Sequence, residues 1–229
     1  EAAVSQNLKG IFLMPRNANP TGLSLPETRM RDLAGIIREK NLLLIEDDAK
    51  LLLDEKPEKT LFSRIPEQTV YIAGSTRIIA PGIRATFMAF PECRSERIRA
   101  ALHHLTIKAS ALDTEILSEL ILSGRAEKIL AVKAKKAREA NAIFNKMFPD
   151  APRRPDASLF RMLPLPGTSG HGQTIEARLR AAGVSVCHSD RFSVKPGRGD
   201  SFLRVSVSSA STLAQLRKGL EIISTYMRR

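Results

Sequence analysis

Short apolar runs alternating with helix-patterned segments constrain this chain more than any other feature. Lys9–Pro15, Leu42–Ile45 and Val70–Ala73 are brief and mainly apolar, as suits strands of a parallel sheet buried on both faces. Between the first two, Ser24-Leu-Pro-Glu27 reads as a capping box with Pro26 in the first helical turn. Met30, Leu33, Ala34 and Ile37 then follow at helical spacing. Ile83–Phe90 predicts a further strand that stops at Pro91. Strands and helices in alternation, joined by short connections, define an α/β layered domain.

From Ser95 the pattern turns helical, first to about His104 and then from Leu112 to about Leu122. Gly124 breaks it before a long basic helix from Arg125 to Met147, which Pro149, Pro152 and Pro155 terminate. The remainder alternates again: strand Leu159–Leu163, a loop rich in Gly, Ser and Pro, helix Thr174–Ala182, strands Val184–Cys187 and Phe202–Val207, and a closing helix from Thr212 to about Tyr226. The reading is therefore bipartite. Residues 1–110 form an α/β part with a mostly parallel sheet, and residues 111–229 form a connecting long helix and a small α+β domain.

Composition sets outer limits. With 229 residues, 43% of them hydrophobic, the chain can bury a core without disulfides or metals. Cys93 and Cys187 lie far apart without metal-ligand spacing and read as reduced thiols of a cytoplasmic protein. His103, His104, His171 and His188 form no metal set. No leading apolar stretch resembles a signal peptide, and no run is long enough to span a bilayer. The net charge of +12 favours anionic partners, nucleic acid among them. Its densest stretch, Arg125–Arg138, nevertheless reads as the solvated face of a helix, with no aromatics for base stacking.

The most informative segment is Tyr71-Ile-Ala-Gly-Ser-Thr-Arg77-Ile-Ile-Ala-Pro-Gly-Ile-Arg84. An apolar strand ends in small hydroxyl residues, a cation follows, and a Pro-Gly turn precedes a second arginine. This segment resembles the cofactor-lysine segment of fold-type I pyridoxal-phosphate (PLP) aminotransferases. It is most similar to that of the aminotransferase-like domain of MocR-type regulators, a branch of the GntR family. The resemblance extends over nearly the whole chain and implies the later strands of an aspartate aminotransferase-like large domain, the linking helix and the small C-terminal domain. The family's earlier part, with its cofactor-phosphate loop and the aromatic that stacks on the pyridine ring, is expected to be missing, as is any winged-helix DNA-binding domain.

Roles follow from the resemblance residue by residue. Asp47, closing Ile45-Glu46-Asp47-Asp48, matches the carboxylate that keeps the pyridine nitrogen protonated; by itself it also reads as a strand-end cap. Asn19, in Asn-Pro-Thr-Gly, matches the donor to the cofactor 3′-oxygen, and Lys50 stands where the family places a tyrosine sharing that oxygen. Ser75, Thr76 and Arg84 match phosphate-binding positions, with Gly74 where a hydroxyl residue is usual. Arg204 matches the arginine that grips a substrate carboxylate, with Phe192 upstream in the usual place; alone it also reads as a solvent-facing edge-strand arginine.

Arg77 holds the position of the Schiff-base lysine. A guanidinium stays protonated and is a poor nucleophile, so it pairs with phosphate or carboxylate but neither bonds to the cofactor aldehyde nor shuttles a proton. Lys50 is the displaced alternative. With Arg77 in that place, the resemblance implies PLP that is held without a covalent bond or is absent, a homodimer, a small amino-acid or other carboxylate ligand, and DNA contact only through an upstream domain. Three functions remain open: a regulator's effector domain without transaminase activity, an aminotransferase or fragment of one, and a non-catalytic remnant serving as an interaction module.

Overall fold

A computed structural model of the chain describes residues 8–48, 59–106, 109–165, 171–194 and 201–228. It is divided into two compact units: residues up to Arg16 with Leu25–Lys133, and Asn17–Ser24 with the chain from Ala134 onward. Lys50 and the Arg198-Gly199-Asp200 tripeptide lie outside the described residues.

In the first unit, β1 (Gly10–Leu13), β2 (Leu43–Asp47) and β3 (Thr69–Gly74) are parallel, and β4 (Thr86–Ala89) closes the order β1-β2-β3-β4 antiparallel to β3. Helix α1 (Glu27–Glu39) packs Met30, Ala34 and Ile37 against Leu42, Leu44, Leu61 and Ile65. Side chains alternate across a strand. Leu44 and Glu46 therefore share this covered face, while Leu43, Ile45 and Asp47 share the other. Ser24 does not cap α1. The residue before the helix is Pro26, with no side-chain bond, and the Ser24 hydroxyl accepts the Asn17 N–H at 3.1 Å. The helix ends in a Schellman turn: Asn41 is left-handed at φ 49°, its N–H reaches the Arg38 carbonyl, and the Leu42 N–H reaches that of Ile37. Beyond β4 come α2 (Ser95–Thr106), α3 (Ala111–Leu122, capped by the Ser110 hydroxyl) and the long α4 (Arg125–Met147).

In the second unit, β5 (Phe160–Pro164), β7 (Phe202–Ser206) and β6 (Cys187–His188) form an antiparallel sheet in the order β5-β7-β6. Its core joins Phe144 of α4, Ile175 and Leu179 of α5 (Gly172–Ala181), Leu203 and Val205 of β7, and Leu216, Leu220 and Ile223 of α6 (Leu213–Met227). The strand expected over Val184–Cys187 is shorter and later. Gly183, at φ 88°, and the Val184 N–H, bonded to the Leu179 carbonyl, finish α5 before pairing begins at Cys187. The parallel strands, the single antiparallel strand and the separate α+β module agree with the α/β reading, the sheet being mixed.

Candidate functional site

Of the residues expected at a cofactor, Asp47 closes β2 and Ser75, Thr76 and Arg77 directly follow β3, at the carboxyl ends of parallel strands, where open α/β sheets bind ligands. Asp47 ends β2, half-buried, in register with Ile72 of β3. Next to it, Asp48 is buried against Arg16, 3.7 Å away, and accepts the Tyr71 hydroxyl at 3.2 Å. Burial, and then the Asp48 charge, push the Tyr71 phenol well above its ordinary range. Glu46 points to the face opposite Asp47. Its carboxylate oxygens accept the Leu61 and Phe62 N–H groups at 3.1 and 2.7 Å, and burial raises its pKa against the pull of those donors.

After β3 the chain doubles back tightly. The Ser75 hydroxyl donates to the Ala85 carbonyl at 2.7 Å, and that of Thr76 donates to the Ile83 carbonyl at 3.1 Å. Ile78, Ile79 and Ile83 are buried beneath the turn. The two hydroxyl protons are thus engaged in closing the loop, which presents Arg77 and Arg84 to solvent. The Arg84 N–H donates to Asp113 at 3.2 Å, tying the loop to α3. Lys133 of α4 donates from Nζ to the Arg77 carbonyl at 3.3 Å, and burial lowers its pKa. A Ser/Thr-closed turn bearing two guanidinium groups suits a phosphate, and the half-buried Asp47 carboxylate suits a protonated pyridine nitrogen. The donor set therefore fits PLP in charge, with no amine supplied by residue 77.

In the second unit, Arg204 and Asn19 meet although 185 residues separate them. Arg204 Nη1 donates to Asn19 Oδ1 at 3.0 Å, and Nη2 to Cys187 Sγ at 3.3 Å. The guanidinium lies 4.9 Å from the Phe160 ring centroid and 5.2 Å from that of Phe192. Two π faces hold the cation, each worth about 0.5–2 kcal/mol, and no carboxylate among the described residues pairs with it. Because arginine only donates, Asn19 must turn Oδ1 toward it, which leaves Nδ2 to donate elsewhere. The turn that carries Asn19 is held by Gly22, at φ 66°, where a Cβ would come within 2.5 Å of the Phe160 carbonyl oxygen. Arg154 Nε also donates to the Thr21 carbonyl at 2.6 Å.

Several contributors escaped the sequence reading. Cys187 and Phe160 become partners of Arg204 only through strand register: Cys187 pairs directly with Arg204, and Phe160 lies diagonally across β5. Arg161, fully buried, donates to Asn141, Asn145 and the Pro152 carbonyl and lies over Phe144; burial, then Arg154 and Arg153, lower its pKa to about 10. Arg16 and Lys133 carried no signal in a sequence with 36 basic residues.

A mixed-sheet α/β unit and an α+β unit define the class: the chain is a fold-type I, aspartate aminotransferase-like domain of the PLP-dependent transferases. No protein-family model matches it. In sequence it is 31% identical over 223 residues to the uncharacterized HTH-type transcriptional regulator YdeF of Bacillus subtilis (strain 168), across 97% of this chain and 48% of that protein. It is 25% identical over 175 residues to the 2-aminoadipate transaminase of Thermus thermophilus, across 71% of this chain and 44% of that one. In structure it superposes on LysN, the α-aminoadipate aminotransferase of Thermus thermophilus solved with N-(5′-phosphopyridoxyl)-L-leucine. There the TM-score is 0.85 at 21% identity, over 99% of this chain and 61% of that one. The chain spans about half the length of the curated relatives it matches. Among the described residues no helix is long and apolar enough to cross a membrane.

Proposed function

We propose that this chain is the effector domain of a MocR/GntR-type transcription regulator, binding PLP and the carboxylate of an amino acid without transamination by the usual lysine route. The observation that carries the reading is Arg204: a guanidinium oriented by Asn19, Cys187 and two aromatic rings, and paired with no carboxylate among the described residues. Such a cation is preorganised for a carboxylate at little further entropic cost. Asp47 takes the pyridine nitrogen in this proposal, Arg77 and Arg84 the phosphate, and Asn19 Nδ2 a ligand oxygen. Lys50, Ser75 and Thr76 are assigned to the same cofactor, the two hydroxyls by closing the loop that carries Arg77 and Arg84. DNA contact belongs to another domain, and the working protein is a cytoplasmic homodimer.

Similarity to the 2-aminoadipate transaminase favours the second reading, an aminotransferase. Both readings meet one experiment. The full natural polypeptide is loaded with PLP and titrated with 2-aminoadipate, following the visible spectrum and the appearance of 2-oxoadipate. A saturable spectral change that needs Arg204 and yields no oxo acid supports the regulator. Catalytic turnover supports the enzyme, and no saturable response to either compound overturns both.

A further inference from the structure

Position 77 offers a guanidinium where imine chemistry needs a neutral amine. A primary amine nevertheless lies against the backbone of that residue. Lys133 reaches across from α4, 56 residues later in sequence, and its Nζ lies 3.3 Å from the Arg77 carbonyl oxygen. That partner is a neutral carbonyl, and no carboxylate among the described residues forms an ion pair with Lys133. The neighbouring α4 lysines Lys128, Lys135 and Lys136 are exposed, whereas Lys133 is half-buried. Burial disfavours its ammonium form and so increases the share of neutral, nucleophilic amine.

We propose that Lys133 is the carbonyl-reactive amine of this loop, bonding covalently to the aldehyde carbon of PLP in place of the lysine that Arg77 has displaced. The inference rests on the reading that the loop takes PLP. In the step, the neutral Nζ adds its lone pair to the aldehyde carbon, and a proton passes from nitrogen to the former carbonyl oxygen. Loss of water then leaves a carbon–nitrogen double bond, with no oxidant or reductant needed. An amino-acid ligand can displace the lysine by the same exchange, which ties ligand arrival to a change at Lys133 while Arg77 stays on the anionic groups.

The test uses the full natural polypeptide with one equivalent of PLP. Equilibrium dialysis measures binding, and borohydride reduction followed by peptide mass analysis locates any covalent bond. The expected result is a phosphopyridoxyl group predominantly on Lys133. Lys133→Arg keeps a donor for the Arg77 carbonyl and should lower total adduct at least tenfold while circular dichroism stays native. Lys136→Arg should leave the Lys133 adduct in place. Stoichiometric binding with no adduct at Lys133, or with the adduct on Lys50 or another lysine, overturns the assignment and leaves the PLP reading standing. Absence of binding in dialysis overturns both.

Discussion

Arg204 carries the proposed carboxylate contact of the second unit, because each of its contacts orients the cation without neutralising it. A lysine there would keep the charge but lose the planar fork and the stacking on Phe160 and Phe192. On the proposed reading, Arg204→Lys is expected to weaken binding of the amino-acid ligand by about tenfold or more, as read by calorimetry, since each lost charge-assisted bond costs about 1.5–3 kcal/mol. Asn19→Ala removes the acceptor that aims the guanidinium and should weaken it in the same assay. The motif residues were legible in the sequence because they sit in local patterns, Asn-Pro-Thr-Gly and Glu-Asp-Asp. Cys187 and Lys133 were not, since a half-buried thiol or amine is recognised only by what lies across from it. The partners of Arg204 come from strand pairing and from a turn 185 residues away, which no local pattern encodes.

At the scale of elements, the entry to β6 depends on one carboxylate. Glu176 of α5 is buried, accepts the His188 N–H at 2.8 Å and pairs with Arg191. Glu176→Ala leaves that buried N–H without its acceptor and should lower stability by about 1–3 kcal/mol in a urea titration. The Arg191 hydrogen bond holds the Glu176 carboxyl below the ordinary value of 4.5, against the opposing effect of burial. A depressed folded pKa adds stability above the unfolded value and loses it as pH falls through the folded one. Glu176→Gln should therefore flatten the loss of melting temperature on acidification below 4.5, compared with the native chain.

Gly172, which starts α5, donates its N–H to Asp190 at 3.1 Å, and a Cβ there would overlap the His188 ring. Gly172→Ala is expected to cost about 1–3 kcal/mol by the same measurement, the usual penalty of overpacking. Helix periodicity made the long elements legible: α4 runs from Arg125 to Met147 as its apolar spacing and flanking Gly and Pro imply. Short elements were less so. Ser24 looked like a helix cap, but its hydroxyl is turned to Asn17, and β6 starts only where the C-terminal turn of α5 releases the chain.

At the scale of the whole molecule, 36 basic residues against 24 acidic ones make the chain cationic without a described aromatic platform for bases. Its affinity for duplex DNA should therefore be non-specific and fall steeply with salt, as fluorescence anisotropy at two ionic strengths would register. Sequence-selective binding by this chain alone would contradict the assignment of DNA recognition to another domain. The α/β order was readable from the alternation of apolar runs, and the fold class followed from it together with the cofactor-lysine segment. The placing of Asn17–Ser24 with the second unit was not, because that segment joins residues more than a hundred positions later, a contact that only tertiary packing creates.

The central claim is that this fold still receives PLP although residue 77 is an arginine, and Asp47 gives the most direct access to it. The measurement is the dissociation constant for PLP, by absorbance titration of the full natural polypeptide and of its Asp47→Ala variant. The account predicts stoichiometric, saturable binding that weakens by about tenfold or more when the carboxylate is removed, the loss of one charge-assisted contact to the pyridine nitrogen. Binding that is absent, or equally tight without the Asp47 carboxylate, would contradict it.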